Sequence, residues 1–134
     1  FELIRVPDSL YQTLHIEKEE MVYYIQRVRY ADGVPFSFET TYMSARLYPD
    51  VSLKILNGSK YHYVEDTLGL KIAYSAHTVT PILPSAEVAK LFDLKDDQPI
   101  VKIANTTYLE NGQVLDFTEL LYNSPKYQLR YIKQ

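Results

Sequence analysis

Apolar and polar positions alternate with a period of two along most of the chain, and a helical spacing replaces that alternation only in short stretches. Residues 1–6 alternate weakly and start on an apolar Phe1, which reads as a strand cut from a longer protein. Pro7-Asp8-Ser9 followed by Leu10 and Leu14 supplies a capping residue and an i, i+4 apolar pair, so one or two helical turns are expected before the acidic, solvated turn of residues 17–20. Two strand-like runs over residues 21–43 flank Ala31-Asp32-Gly33 and form a hairpin, with Gly33 able to adopt a positive φ. Residues 50–56, closed by Asn57-Gly58, and residues 59–68, closed by Gly69, read as two short helices; Tyr61, Val64 and Leu68 make the apolar stripe of the second.

Residues 71–81 are rich in β-branched and aromatic side chains and read as a strand, after which Pro84-Ser85 opens a helix carrying Val88 and Leu91. Residues 99–109 and 113–122 flank Asn111-Gly112, the strongest short hairpin signal, and residues 127–132 read as a last strand. The two hairpins form a weak internal repeat: Asp32-Gly33 leads to Glu39 and Tyr42, and Asn111-Gly112 leads to Glu119 and Tyr122, with spacings that differ by one residue. No linker or low-complexity segment divides the chain. Residues 1–134 therefore read as one α+β domain, mainly an antiparallel β-sheet with short helices packed on it.

The first hairpin has two competing registers. A three-residue loop sets Tyr30 opposite Val34, Arg27 opposite Ser37 and Ile25 opposite Glu39. Val22, Tyr24, Val28, Tyr30, Phe36, Phe38 and Tyr42 then share one face, and Arg27, Arg29, Ser37, Glu39 and Thr41 share the other. A two-residue loop instead mixes the phenylalanines with the arginines and buries Glu39 among tyrosines, so the three-residue loop is favoured by segregation. It places two guanidinium groups and one carboxylate on a single polar face. Such a face also fits a solvated surface whose ion pair is worth under about 1 kcal/mol. The alternative is an anion site, because the planar Arg fork binds phosphate or carboxylate bidentately and Glu39 can accept from ligand hydroxyls. Asn57-Gly58-Ser59 adds a second feature, since free N–H groups at a helix start attract anions and the Ser59 hydroxyl can donate; Ser59 also fits a plain N-cap.

Composition narrows the field. With 134 residues and 46% hydrophobic content, the chain can bury roughly two thirds of its unfolded surface. It has no cysteine, which removes disulfides, thiolate metal sites and thiol nucleophiles and suits a reducing, cytoplasmic setting. No apolar run approaches the roughly 20 residues of a membrane span. A net charge of −3 with scattered Lys and Arg offers no stripe for a nucleic-acid backbone. Thirteen tyrosines and no tryptophan decide nothing alone, since a Tyr is usually a half-buried strand residue. His15, His62 and His77 share no metal-ligand spacing, no nucleophile elbow or phosphate loop occurs, and nothing in the spacing of Glu39, Asp116 and Glu119 brings an acid and a base together. No catalytic residue, metal ligand or cofactor is assigned.

Arg27-Val28-Arg29, Asp32-Gly33-Val34-Pro35, Glu39 and Tyr42, Ser59 before a helix, Leu68-Gly69-Leu70, Leu91-Phe92-Asp93-Leu94, and Asn111-Gly112 leading to Glu119 occur in an order that resembles a UTRA domain over essentially the whole chain. That is the effector-binding half of bacterial GntR-type transcriptional regulators of the HutC subfamily. The resemblance implies a chorismate lyase-like fold, a homodimeric, cytoplasmic regulator, usually a repressor, and an N-terminal winged helix-turn-helix that alone touches operator DNA. It implies a small anionic effector, with sugar phosphates the leading class, whose phosphate is held by Arg27, Arg29 and Ser59. Glu39 and Glu119 would bind effector hydroxyls, and Tyr61 and Tyr127 would complete the pocket. The chain departs from the usual Arg and Asp-Arg-Tyr run near its end, reading Tyr122-Asn123-Ser124-Pro125-Lys126-Tyr127. The rival implied by the fold is a chorismate lyase-like enzyme holding substrate carboxylates on the same arginines.

Overall fold

The computed structural model describes residues 1–58, 60–95, 97–128 and 130. Among them, six strands form one antiparallel sheet: β1 (Glu2–Arg5), β2 (Met21–Ala31), β3 (Val34–Ser44), β4 (Ile72–Ile82), β5 (Ile100–Leu109) and β6 (Val114–Tyr122). Their spatial order is β1-β2-β3-β6-β5-β4, so each hairpin of the sequence is preserved and the two meet where β3 pairs with β6. The helices are short: α1 (Leu53–Asn57), α2 (Lys60–His62), which runs on as a single π turn over Tyr63–Thr67, and α3 (Ala86–Phe92). Ser52 fixes the start of α1 by accepting from the Ile55 N–H, three residues later than expected for a helix beginning at residue 50. Ser85 caps α3 in the same way, and Asp93 ends it in the left-handed region at φ 54°.

Residues 8–15 form successive turns rather than a helix, with only the Leu14 N–H to Leu10 carbonyl bond of helical type at 3.0 Å. The strand expected over residues 127–132 is absent where it can be observed: Tyr127, Gln128 and Arg130 are irregular, and the remaining positions lie outside the described residues.

The first hairpin corrects the expected register and explains why Arg27, Arg29, Ser37, Glu39 and Thr41 nonetheless share one face as expected, while Phe36 does not keep to the other. Asp32 (φ 51°) and Gly33 (φ 79°) supply the two positive φ angles of a tight two-residue turn, so Ala31 faces Val34 and Tyr30 faces Pro35. The ladder then slips, Arg29 faces Ser37, and Phe36 is left as a β-bulge. Arg27 thus lies opposite Glu39 rather than Ser37. Relative to a three-residue loop, the pairing beyond the bulge has moved by two, and an even shift keeps those side chains on their own faces, whereas the bulged Phe36 lines a cleft with Val101, Tyr122 and Tyr127. Asn123, fully buried, clamps the bulge: its N–H donates to the Phe36 carbonyl at 2.8 Å and its Nδ2 to the Pro35 carbonyl at 2.9 Å. The second hairpin repeats the device, since Tyr108 faces Val114 but Thr107 faces Asp116, leaving Leu115 bulged and buried.

The sheet separates two environments. On the side of Tyr23, Ile25 and Met43, one end is closed by α1 and the π turn through Leu56, Tyr63 and Val64. On the other side, residues 6–16 cover Val22, Tyr42 and Phe117, and α3 covers Phe38, Ile82 and Leu121 with Val88 and Phe92.

Candidate functional site

Two positions apart on β2, Arg27 and Arg29 project from the same face. Register puts Glu39 and Ser37 of β3 opposite them, and Leu120 and Tyr122 of β6 beyond. Arg27 Nη2 donates to Glu39 Oε1 at 3.0 Å and Arg27 Nη1 to the Leu56 carbonyl at 3.3 Å, which ties the end of α1 to the sheet. Arg29 Nε lies 3.7 Å from Glu39 Oε2. Thr41 Oγ1 also donates to Glu39 Oε1, at 3.2 Å, and its oxygen lies 3.1 Å from that of Thr118. One carboxylate, its side chain only 9% exposed, is therefore shared by two guanidinium groups. Arg27 Nε is buried and has no hydrogen-bond partner among the described residues, an orphan donor in a polar cluster.

A cleft of about 490 Å³ opens over this cluster, bounded by Leu56, Asn57, Gly58, Lys60 and Tyr61. Lys60 reaches from α2 to pair its ammonium with Asp116 of β6, whose side chain is 1% exposed and whose Oδ1 has no described partner. Burial first, and then the Asp116 charge, hold the nearby Tyr48 hydroxyl well above the usual phenol range. That hydroxyl donates to the Val114 carbonyl at 2.8 Å.

Arg27, Arg29, Glu39 and Tyr61 of the expected site residues are brought together at this cleft. Ser59 lies outside the described residues. The helix that was to start there has only a three-residue α-helical portion, too short to present a helix dipole, so the cationic side chains dominate the local field. Glu119 does not join: it faces Thr40 across the ladder, lies on the opposite side of the sheet and approaches Lys102 at 3.8 Å. The cause is the one-residue difference between the hairpins. Both bulges fall three residues after the turn glycine, but Glu39 is six residues after Gly33 and Glu119 seven after Gly112, so with a period of two they face opposite ways. Thr118 holds the position equivalent to Glu39.

Tyr127 lines a separate cleft of about 460 Å³ with Phe36, Val101 and Tyr122. Its hydroxyl donates to the Ala31 carbonyl at 3.3 Å, and its ring stands edge-on to Phe36 at 6.0 Å. The two clefts are neighbours, because Arg29, Ser37, Tyr122 and Val101 form one cross-strand row on the same face. Sequence reasoning missed Lys60 and Asn123 and weighed Asp116 only as an acid or base. The signal for Lys60 was its place directly after Ser59; for Asp116 and Asn123 the relevant neighbours are 56 and 88 residues away in the chain. Among the described residues, no group of three or more His, Asp or Glu side chains converges as a metal site.

Chemically, the cluster can hold an anion at the arginines and accept hydroxyl hydrogen bonds at Glu39. Residues 1–128 match the UTRA domain, and the chain belongs to that family. It is 31% identical over 134 residues to the mannosyl-D-glycerate transport/metabolism system repressor MngR of Escherichia coli (strain K12), covering 100% of this chain and 56% of that protein. The crystal structure of the possible transcriptional regulator YydK from Bacillus subtilis matches with a TM-score of 0.86 at 26% identity, over 99% of this chain and 58% of that one. The effector binding domain of the B. subtilis trehalose repressor TreR shares the fold, with a TM-score of 0.81 at 22% identity over 100% and 93% of the two chains. The chain spans about half the length of the curated relatives it matches.

Proposed function

We propose that this domain senses a small anionic metabolite, most simply a sugar phosphate, at the Arg27–Arg29–Glu39 cleft, within a cytoplasmic, homodimeric repressor whose DNA-binding half lies in another part of the protein. The observation that carries this reading is the sharing of one buried carboxylate by two arginines beneath an open cleft. Such a cluster keeps an unneutralised positive charge where an anion can reach it. Arg29, 57% exposed, is the group best placed to meet the ligand, while Arg27 is committed to Glu39 and Leu56 and holds the site in shape. The carbon skeleton of the effector would run along the sheet face towards Tyr122 and Tyr127. Effector binding would act on DNA by favouring one of two arrangements of the paired domains, to the extent that its affinity for the two differs. The domain would work by binding and not by turnover, a reading supported by its similarity to the repressors MngR and NagR.

Thermal shift with a panel of hexose 6-phosphates tests the site. Wild type should gain several degrees at saturating ligand, and Arg27→Ala and Arg29→Ala should each lose that gain. Unchanged ligand shifts in both variants would sink the assignment.

A further inference from the structure

We infer that Lys60 is a third cationic contact for the effector's anionic group, and that buried Asp116 positions it and limits the charge it offers. This rests on the anion-sensing reading above and goes beyond it in naming what sets the preference for highly charged ligands. Lys60 borders the same cleft as Arg27, Arg29 and Glu39. An ammonium has three N–H donors and Asp116 Oδ2 engages one, so two remain for the cleft. Arg27, by contrast, turns its two terminal nitrogens to Glu39 and the Leu56 carbonyl, and its Nε is buried. The donors free to meet a second anionic oxygen therefore come mainly from Arg29 and Lys60.

The charge count sharpens this. Arg27, Arg29 and Lys60 face Glu39 and Asp116, three cations against two carboxylates, while a phosphate monoester carries about −1.5 to −2 near neutrality. A dianion overfills a site with one net positive charge, so the Asp116 charge opposes it even as Asp116 holds the lysine in place. Asp116 is nearly inaccessible, which rules it out as a ligand contact and leaves positioning and field as its means of action.

The signs of the effects separate this from a merely structural ion pair, in which any break would weaken binding. The probe is inorganic phosphate, with acetate as the singly charged comparison, titrated against this chain by calorimetry. Lys60→Met/Asp116→Asn removes both charges and leaves neither buried alone, so it should fold and should bind phosphate at least about tenfold more weakly, with a smaller loss for acetate. Asp116→Asn alone should bind phosphate more tightly than wild type, and Lys60→Arg should keep most of the wild-type affinity. Phosphate affinity within about twofold of wild type in the double variant overturns the proposal. So does weaker phosphate binding in a folded Asp116→Asn; should that single variant not fold, the double variant and Lys60→Arg decide. If Arg29→Ala loses phosphate while the double variant does not, Lys60 alone is wrongly assigned. If wild type fails to bind phosphate, or Arg29→Ala binds it unchanged, the anion-sensing reading itself falls.

Discussion

The two faces of the sheet are made by the same strands and differ in how their buried groups are satisfied. Phe38, Tyr42, Phe117 and Leu121 meet α3 and residues 6–16, and this apolar part of their face needs only to exclude water. On the opposite face, Ser37, Glu39, Thr41, Asp116 and Thr118 are buried polar residues in the midst of strands. Each must find a partner or leave a cost of about 1–3 kcal/mol unmet. Among the described residues Asp116 Oδ1 finds none, and neither does Arg27 Nε beside them. The lesson is that recognition is confined to part of one face. That face is packed at its Tyr23, Ile25 and Met43 end and carries polar capacity that folding does not fully use at its Arg27 and Arg29 end.

The comparison can be broken most easily on the apolar side. Phe92, 1% exposed, anchors α3, and Phe92→Ala should cost about 3–5 kcal/mol in urea denaturation while leaving the per-site phosphate affinity of the folded fraction unchanged. Arg29→Ala should do the reverse, with a stability change under about 1 kcal/mol for a largely exposed pair. Equal stability losses in the two variants would refute the division.

A smaller effect comes with alkali. Tyr48, Tyr23, Tyr63 and Tyr42 all have hydroxyls raised above the ordinary phenol value, each chiefly by burial. A raised folded value means that the unfolded chain gives up these protons first. Their contribution is therefore complete below about pH 10 and declines as pH rises towards the folded values. Denaturation midpoints should fall as pH rises past about 10, and Tyr48→Phe should flatten that fall. A flat wild-type profile would contradict the burial of these hydroxyls.

The smallest effect belongs to the rim. The Arg46 hydrogen bond at 2.6 Å lowers the Glu20 carboxyl, so this pair contributes above the unfolded glutamate value and is lost as pH falls through the folded one. Arg46 is exposed, and Glu20→Gln should leave the melting temperature nearly unchanged, with the residual difference vanishing at high salt.

Much of this was legible in the sequence for local reasons. Asn111-Gly112 and Asp32-Gly33 encode turns directly, and alternation encoded which residues share a face with Arg27. What was not legible depended on pairing between distant strands. The bulge at Phe36 is held by Asn123, and Lys60 finds Asp116 across the sheet. Neither relation leaves a periodic trace. Glu119 shows what a single residue of offset does, since relative to Glu39 it places the later glutamate on the other side of the sheet.

The bulges at Phe36 and Leu115 also constrain how these hairpins can change in length. Deleting the codon for either residue, or inserting one between the turn and the arginine row, would exchange sensing surface for core along the rest of that strand, turning Phe38 outward and Glu39 inward in the first hairpin. Changes in steps of two would leave the arrangement intact. Length variation among descendants of this chain should therefore be even-numbered within each hairpin, with odd changes confined to the turns or compensated by a new bulge.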